Sequence, residues 1–279
     1  VKKVALACLL LAACEDPLAP AQRLDEPRVL GVRVTADDGS ATPEPGSAAQ
    51  FEVLIAGPDG VVDARFGYEL CEPEDSQRGV PFCASRAFAE GTATADAPVS
   101  FDVPAGAESL LLRGVACVAG EPALSADPRD WDCSGRGTPL GVSFTTHTGT
   151  ERRTNRNPDL SALRIAIDGD PVAIEETSTD PSCTEGVSEV SRGERHAFEI
   201  VVGARARESE GGATETLQLS HFASDGLYER QWSFVDPGTS PRSRLAWEAP
   251  ATRVPVKHYL VVRDDRGGMS WASFSLCVR

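Results

Sequence analysis

The chain holds 279 residues, of which 41% are apolar and 25% charged, a balance that supports a buried core in one large or two small domains. Its net charge of −15, from 42 acidic and 27 basic residues, argues against a nucleic-acid partner, which needs a basic face, and against broad electrostatic docking on anionic lipid. The strongly apolar run from Val4 to Ala13 is too short to span a bilayer as a helix.

Lys2 and Lys3 precede that run as a positive n-region, and its ten residues have the length of a secretory h-region. Its end, Leu11-Ala12-Ala13-Cys14, resembles the lipobox of bacterial lipoproteins. The resemblance implies a signal peptide over 1–13, cleavage before Cys14, and acylation of Cys14 by palmitate-class chains. It further implies residence in the cell envelope, lipid-anchored at the outer membrane on its periplasmic face or at the cell surface. An ordinary secretory signal with a coincidental cysteine would leave the position of the box unexplained. Two or more acyl chains hold a protein stably, at ~0.8 kcal/mol per buried methylene. Residues 14–27 contain three prolines and no periodicity, and read as an extended tether of roughly 40 Å at ~3.1 Å per residue.

Helical periodicity is nearly absent from the remainder. Short strand-like runs recur between Gly, Pro, Asp and Ser clusters: Arg28–Thr35, Gln50–Ala56, Arg65–Cys71, Val99–Val103, Leu110–Val118 and Leu140–Thr146. This series predicts an immunoglobulin-like sandwich over residues 28–148. A polar stretch at 149–159, ending Asn157-Pro158-Asp159, reads as the linker. A second series follows over 160–279: Leu160–Ile167, Ala197–Val202, Thr216–Phe222, Tyr228–Val235, Ser243–Trp247, His258–Arg263 and Ser270–Val278. The fold class is therefore all-β, with two tandem sandwiches after the signal peptide.

Alternation places Tyr228, Trp232 and Phe234 on one face of a strand, with Trp232 in the core. The strand runs into Asp236-Pro237-Gly238-Thr239. This segment resembles the Trp-x-Phe-x-Asp-x-Gly-Thr stretch of PKD-type domains, and Tyr259 to Gly268 resembles their final hairpin. The resemblance covers about residues 225–279, and it implies an immunoglobulin-like fold used as an extracellular spacer or interaction module.

Of eight cysteines, Cys8 leaves with the signal peptide and Cys14 takes lipid. The other six, Cys71, Cys83, Cys117, Cys133, Cys183 and Cys277, are an even set in an exported chain and imply disulfides. Cys71 and Cys117 end two antiparallel strands and so lie at opposite ends of a sheet, beyond the ~7 Å Cα limit for bridging. Local closure is left, as Cys71–Cys83 and Cys117–Cys133, with Cys183–Cys277 clasping the last strand. Zinc is disfavoured because the six residues lack the close Cys-x2-Cys spacing of structural sites.

Motifs that carry catalysis are missing: no nucleophile elbow, no His-Glu-x-x-His, no phosphate loop, no dinucleotide fingerprint and no EF-hand. The four histidines are far apart in sequence, and His196 and His258 read as strand-edge residues. An isopeptide crosslink is disfavoured, since the mature chain has the single lysine Lys257 and its asparagines, Asn155 and Asn157, fall in the linker. Asp168-Gly169-Asp170 and Asp264-Asp265 read as solvated hairpin turns, because calcium needs six to eight oxygens. Trp131, on a disulfide-pinned loop, and Trp271, out of phase with Phe274 and Leu276, are the candidate ligand contacts.

The sequence thus predicts a non-enzymatic lipoprotein without metal or cofactor. Its partners are a membrane, through the anchor, and another envelope protein; the alternative is a glycan read by exposed tryptophan. Peptide mapping without reduction should return the three cysteine pairs above, and free thiols or a Cys71–Cys117 bridge would refute them.

Overall fold

The computed structural model describes residues 20–74, 81–83, 87–126, 129–135, 137–149, 155–175, 183, 187–210 and 212–279. The segment expected to be a signal peptide, residues 1–13, and Cys14 lie outside these residues. The first sandwich contains β1 (Arg28–Ala36), β2 (Ala48–Gly57), β3 (Gly60–Val61), β4 (Arg65–Cys71), β5 (Ala89–Thr94), β6 (Val99–Asp102), β7 (Ser109–Cys117), β8 (Pro122–Ala126), β9 (Arg129–Cys133) and β10 (Pro139–His147). One sheet is ordered β1-β2-β3 with β6 also on β2, and the facing sheet is ordered β10-β7-β4-β5. Val32, Val34, Phe51 and Ile55 from the first meet Phe66, Leu70, Leu110 and Leu112 from the second. Phe51 sets its edge against Phe66, centroids 5.9 Å apart, as aromatic quadrupoles favour.

The hairpin β8–β9 joins neither sheet; it folds over the outer face of β4, where Trp131 lies on Gly67. A Cβ at Gly67 would come within 2.5 Å of two ring carbons, so the close approach requires glycine there. Arg113, between Asp130 at 2.7 Å and Glu69 at 3.8 Å, ties the hairpin to the sheet by charge.

The second sandwich contains β11 (Arg164–Ile167), β12 (Asp170–Val172), β13 (Ser188–Val190), β14 (Arg195–Val201), the small hairpin of β15 (Ser209–Glu210) and β16 (Ala213–Thr214), β17 (Leu217–Ala223), β18 (Leu227–Tyr228), β19 (Trp232–Val235), β20 (Arg242–Glu248), β21 (Pro255–Asp264) and β22 (Met269–Val278). Its sheets are β12-β11-β14-β20-β18 and β13-β22-β21-β17-β19. All pairings are antiparallel except β13 with β22. The fully buried core tryptophan is Trp247 on β20, packed against Phe198 and His258.

Trp232, expected in the core, is instead 49% exposed, and Phe234 is 51% exposed. Tyr228 belongs to β18 in one sheet and Trp232 to β19 in the other, so the crossing between them resets the phase of the alternation. Ser233 and Val235 turn inward in their place. His258 is likewise no strand-edge residue: it is fully buried, stacked on Phe274 at 4.7 Å.

The two sandwiches share a third apolar cluster. Leu30, Leu54 and Ala56 on the outer faces of β1 and β2 meet Tyr259, Val261 and Met269 on the outer faces of β21 and β22. Both central sheets are thereby covered on both sides, and β21 is buried without interruption from Val256 to Val262 rather than at alternate positions. Gly31 lets β1 approach closely, since a Cβ there would stand 2.7 Å from the Met269 sulfur.

Two stretches expected to be loose spacers are parts of this seam. Residues 20–27 dock beside β17: Leu24 is fully buried in the third cluster, its amide donates to Ala223 O at 2.9 Å, and the Ala223 amide donates to Gln22 O at 3.0 Å. In the linker, the Ala41 amide donates to Asn155 O at 2.6 Å, and Asn155 Nδ2 donates to both Asp264 carboxylate oxygens. Asn157 Nδ2 donates to Val34 O at 2.8 Å while its Oδ1 accepts from the Met269 amide at 2.9 Å. Each asparagine therefore bonds one sandwich to the other.

Placing a carboxylate in the seam should part the sandwiches while leaving both folded, because Leu54 points away from the first core. Leu54→Glu is expected to cost about 2–5 kcal/mol of total stability. Small-angle scattering should report a larger radius of gyration, with the strand circular dichroism retained.

Candidate functional site

Several groups capable of acid–base or nucleophilic chemistry are held in buried structural hydrogen bonds. Tyr228 OH lies 2.7 Å from His258 Nδ1, and His221 Nε2 lies 2.9 Å from Ser233 Oγ, which accepts from Ser243 Oγ at 2.6 Å. All five side chains are buried between the sheets of the second sandwich. Burial lowers His258 and His221 to about 3 each, so both imidazoles are neutral at pH 7. The same burial pushes the Tyr228 hydroxyl well above the ordinary phenol range.

His196 sits at a rim. The β11–β12 turn places Asp168 and Gly169 at φ of 53° and 97°, the left-handed pair of a two-residue hairpin. Asp168 Oδ2 then reaches His196 Nδ1 at 2.6 Å, and its Oδ1 accepts the Ala197 amide at 2.8 Å. Burial works against charge on His196, but the Asp168 carboxylate outweighs it and raises the pKa. Asp168 is held below the usual range, first by that bond to His196. Asp264, the other acidic turn, accepts the Arg266 and Gly268 amides of its own hairpin through Oδ1. Both turns thus use their carboxylates to fix backbone.

Lys257 is fully buried on the outer face of β21, where its Nζ donates to the Glu175 carboxylate. Tyr259 stands close by, its hydroxyl raised in pKa by burial and by Glu175. A concavity of about 680 Å³ is an open trough on the outer face of β11, β14 and β20, lined by Ala166, Ala197, Glu199 and Arg244. Glu199 there is already bound by Arg242 and Arg244.

The structure joins Cys71 to Cys83, Cys117 to Cys133 and Cys183 to Cys277, with Cα separations of 5.7, 5.7 and 5.4 Å. The first two close loops beside β4 and β7, and the third holds the outer face of β22. The two expected ligand contacts are occupied by the protein itself. The Trp131 ring is spread on Gly67 with its Nε1 buried. Trp271 stands at the seam with the Arg33 guanidinium 4.6 Å over its ring, and an edge of it lines a 340 Å³ cleft with Glu52, Leu54 and Asp96. Its out-of-phase direction is real, but the face it points to is the other domain. The aromatic pair that does face outward, Trp232 and Phe234, was concealed by the phase reset between β18 and β19.

Neutral buried histidines set a pH dependence. The unfolded chain binds protons at His221 and His258 below about pH 6.5, whereas the folded chain does so only near 3. Stability is therefore full above pH 6.5 and falls as pH drops through that window, by ~1.4 kcal/mol per pH unit for each imidazole. The Asp168–His196 pair opposes this only weakly, because it is partly exposed. Thermal melts between pH 7 and 4 should show a steep decline in Tm, and His221→Gln, which keeps a donor for Ser233, should remove about half of the slope.

No protein-family model matches the chain, and no curated protein matches it either. Solved structures align at low similarity. Fibronectin(III)-like modules of Clostridium thermocellum CbhA are 13% identical, over 88% of this chain and 92% of that one, with a TM-score of 0.24. A glycosyl hydrolase family 2 member from Bacteroides cellulosilyticus is 8% identical over 83% of this chain, TM-score 0.24, and Escherichia coli alpha-2-macroglobulin is 10% identical over 90%, TM-score 0.26. This chain spans only 23% of each of those two proteins, and no function is carried over from them.

Proposed function

We propose that the chain is a non-enzymatic lipoprotein of the cell envelope, a two-sandwich structural or protein-interaction module moored through acyl chains on Cys14. The observation that carries this reading is the fate of the segment after the lipobox. Residues 20–27 are stitched into the seam, with Leu24 fully buried, so an anchor at Cys14 would hold the folded body itself rather than a remote tail. Three disulfides support an oxidising compartment. The seam supports a spacer or docking role, because it makes one wide, stiff body from two modules. The partner in this reading is another envelope protein. A glycan read by Trp131 is less well supported, since that ring covers Gly67.

Cys14→Ala should move the protein from the membrane pellet to the soluble fraction, or leave it uncleaved, and abolish incorporation of labelled palmitate. Unchanged fractionation and labelling would refute the anchor. Crosslinking in cells followed by purification should recover a reproducible envelope protein with the wild-type chain.

A further inference from the structure

We infer that Trp232 and Phe234 sit in the interfacial layer of the same bilayer that holds Cys14. The inference rests on the proposed acylation and adds a second, protein-borne contact with the membrane. The two side chains are the most exposed large apolar groups among the described residues, at 49% and 51%. They stand two positions apart on β19 and so project from one face, in register with Ser220 and Gln218 of β17. β19 is the edge of its sheet and only four residues long, a poor template for strand addition by a protein partner.

The chain path brings the segment that follows the proposed anchor beside this pair. Arg23 pairs with Ala223 in parallel, on the side of β17 that also carries β19. The Ala223 amide donates to Gln22 O and the His221 amide donates to Gln231 O, so Gln22 and Gln231 hang two residues apart on one strand, about 7 Å. Gln22 Nε2 also donates to Tyr228 O at 3.0 Å. The Arg23 amide donates to Pro20 O at 2.9 Å, so residues 20–23 form a turn that keeps Pro20 beside Arg23. Six residue steps separate Pro20 from Cys14, at most about 21 Å at ~3.5 Å each. An acyl chain at Cys14 therefore keeps β19 within about 30 Å of the headgroups.

The chemistry suits that location. Indole and phenyl rings concentrate at membrane–water interfaces, where Trp keeps its N–H in the wet layer. Arg263, exposed in the same cross-strand row as Gln218 and Phe234, can meet lipid phosphate. The net charge of −15 disfavours electrostatic adsorption and leaves an aromatic contact as the suitable kind.

The test uses the acylated mature protein in phosphatidylcholine vesicles, with and without lipid brominated near the headgroup. With one tryptophan in four at the interface, brominated vesicles should quench roughly a quarter of the fluorescence. Trp232→Phe should abolish that quenching while the protein still floats with the vesicles. Flotation without quenching would overturn the inference and leave the anchor intact. A protein that does not float would overturn the anchor instead. The mature chain coupled at Cys14 to a maleimide lipid would then decide on the aromatic pair by the same readout. Quenching by soluble oligosaccharides that is lost in Trp232→Ala, with none from brominated lipid, would assign the pair to carbohydrate and overturn the inference.

Discussion

The apolar seam between the sandwiches is the contact on which the rest of the molecule depends. Leu24, Leu30 and Leu54 on one side and Tyr259, Val261 and Met269 on the other bury surface that would otherwise be the solvated outer face of an antiparallel sheet. Association of this kind grows with the apolar area removed from water, at ~25 cal/mol per Å². It also explains why the second sandwich ends in two strands that are buried on both faces along almost their whole length. A single immunoglobulin-like domain with such strands would expose a sizeable apolar patch and tend to aggregate.

Polar groups drawn into the seam are satisfied in ways that fix register. Asn155 and Asn157 hold backbone and side-chain atoms of both sandwiches, and Arg266 extends the node to Glu215 at 2.5 Å and Glu208 at 2.6 Å. Lys257, buried on the same sheet face, is matched by Glu175. Buried polar atoms with correct partners cost little, and misaligned ones cost much, so these bonds select one docking geometry from the many that an apolar surface alone would allow. The apolar contact supplies the attraction and the amides supply the specificity.

Much of the fold is legible in the sequence because it rests on local rules. Period-two alternation, bounded by Gly, Pro and Asp, locates the strands, and their direction sets Cys71 and Cys117 at opposite ends of one sheet. What the sequence hides depends on partners far along the chain. Asn155 and Asn157 look like linker residues because their hydrogen-bond partners stand more than 100 positions away. Trp232, expected in the core, faces outward because alternation cannot register a crossing from one sheet to the other at residues 229–231. The outward phase of Trp271 is correctly read, yet no periodicity can tell water from a neighbouring domain. The uninterrupted run from Tyr259 to Val262 is the local sign of two-sided burial.

The pairing of Arg23 with Ala223 has a mechanical corollary. Although the first sandwich follows the N-terminal segment directly in sequence, that segment is hydrogen-bonded to the second. Tension applied at the amino end would be borne first by the strand that begins at Leu217, in the carboxy-terminal half of the polypeptide. The intervening module would be spared the load until those few amide bonds and the Leu24 side chain let go.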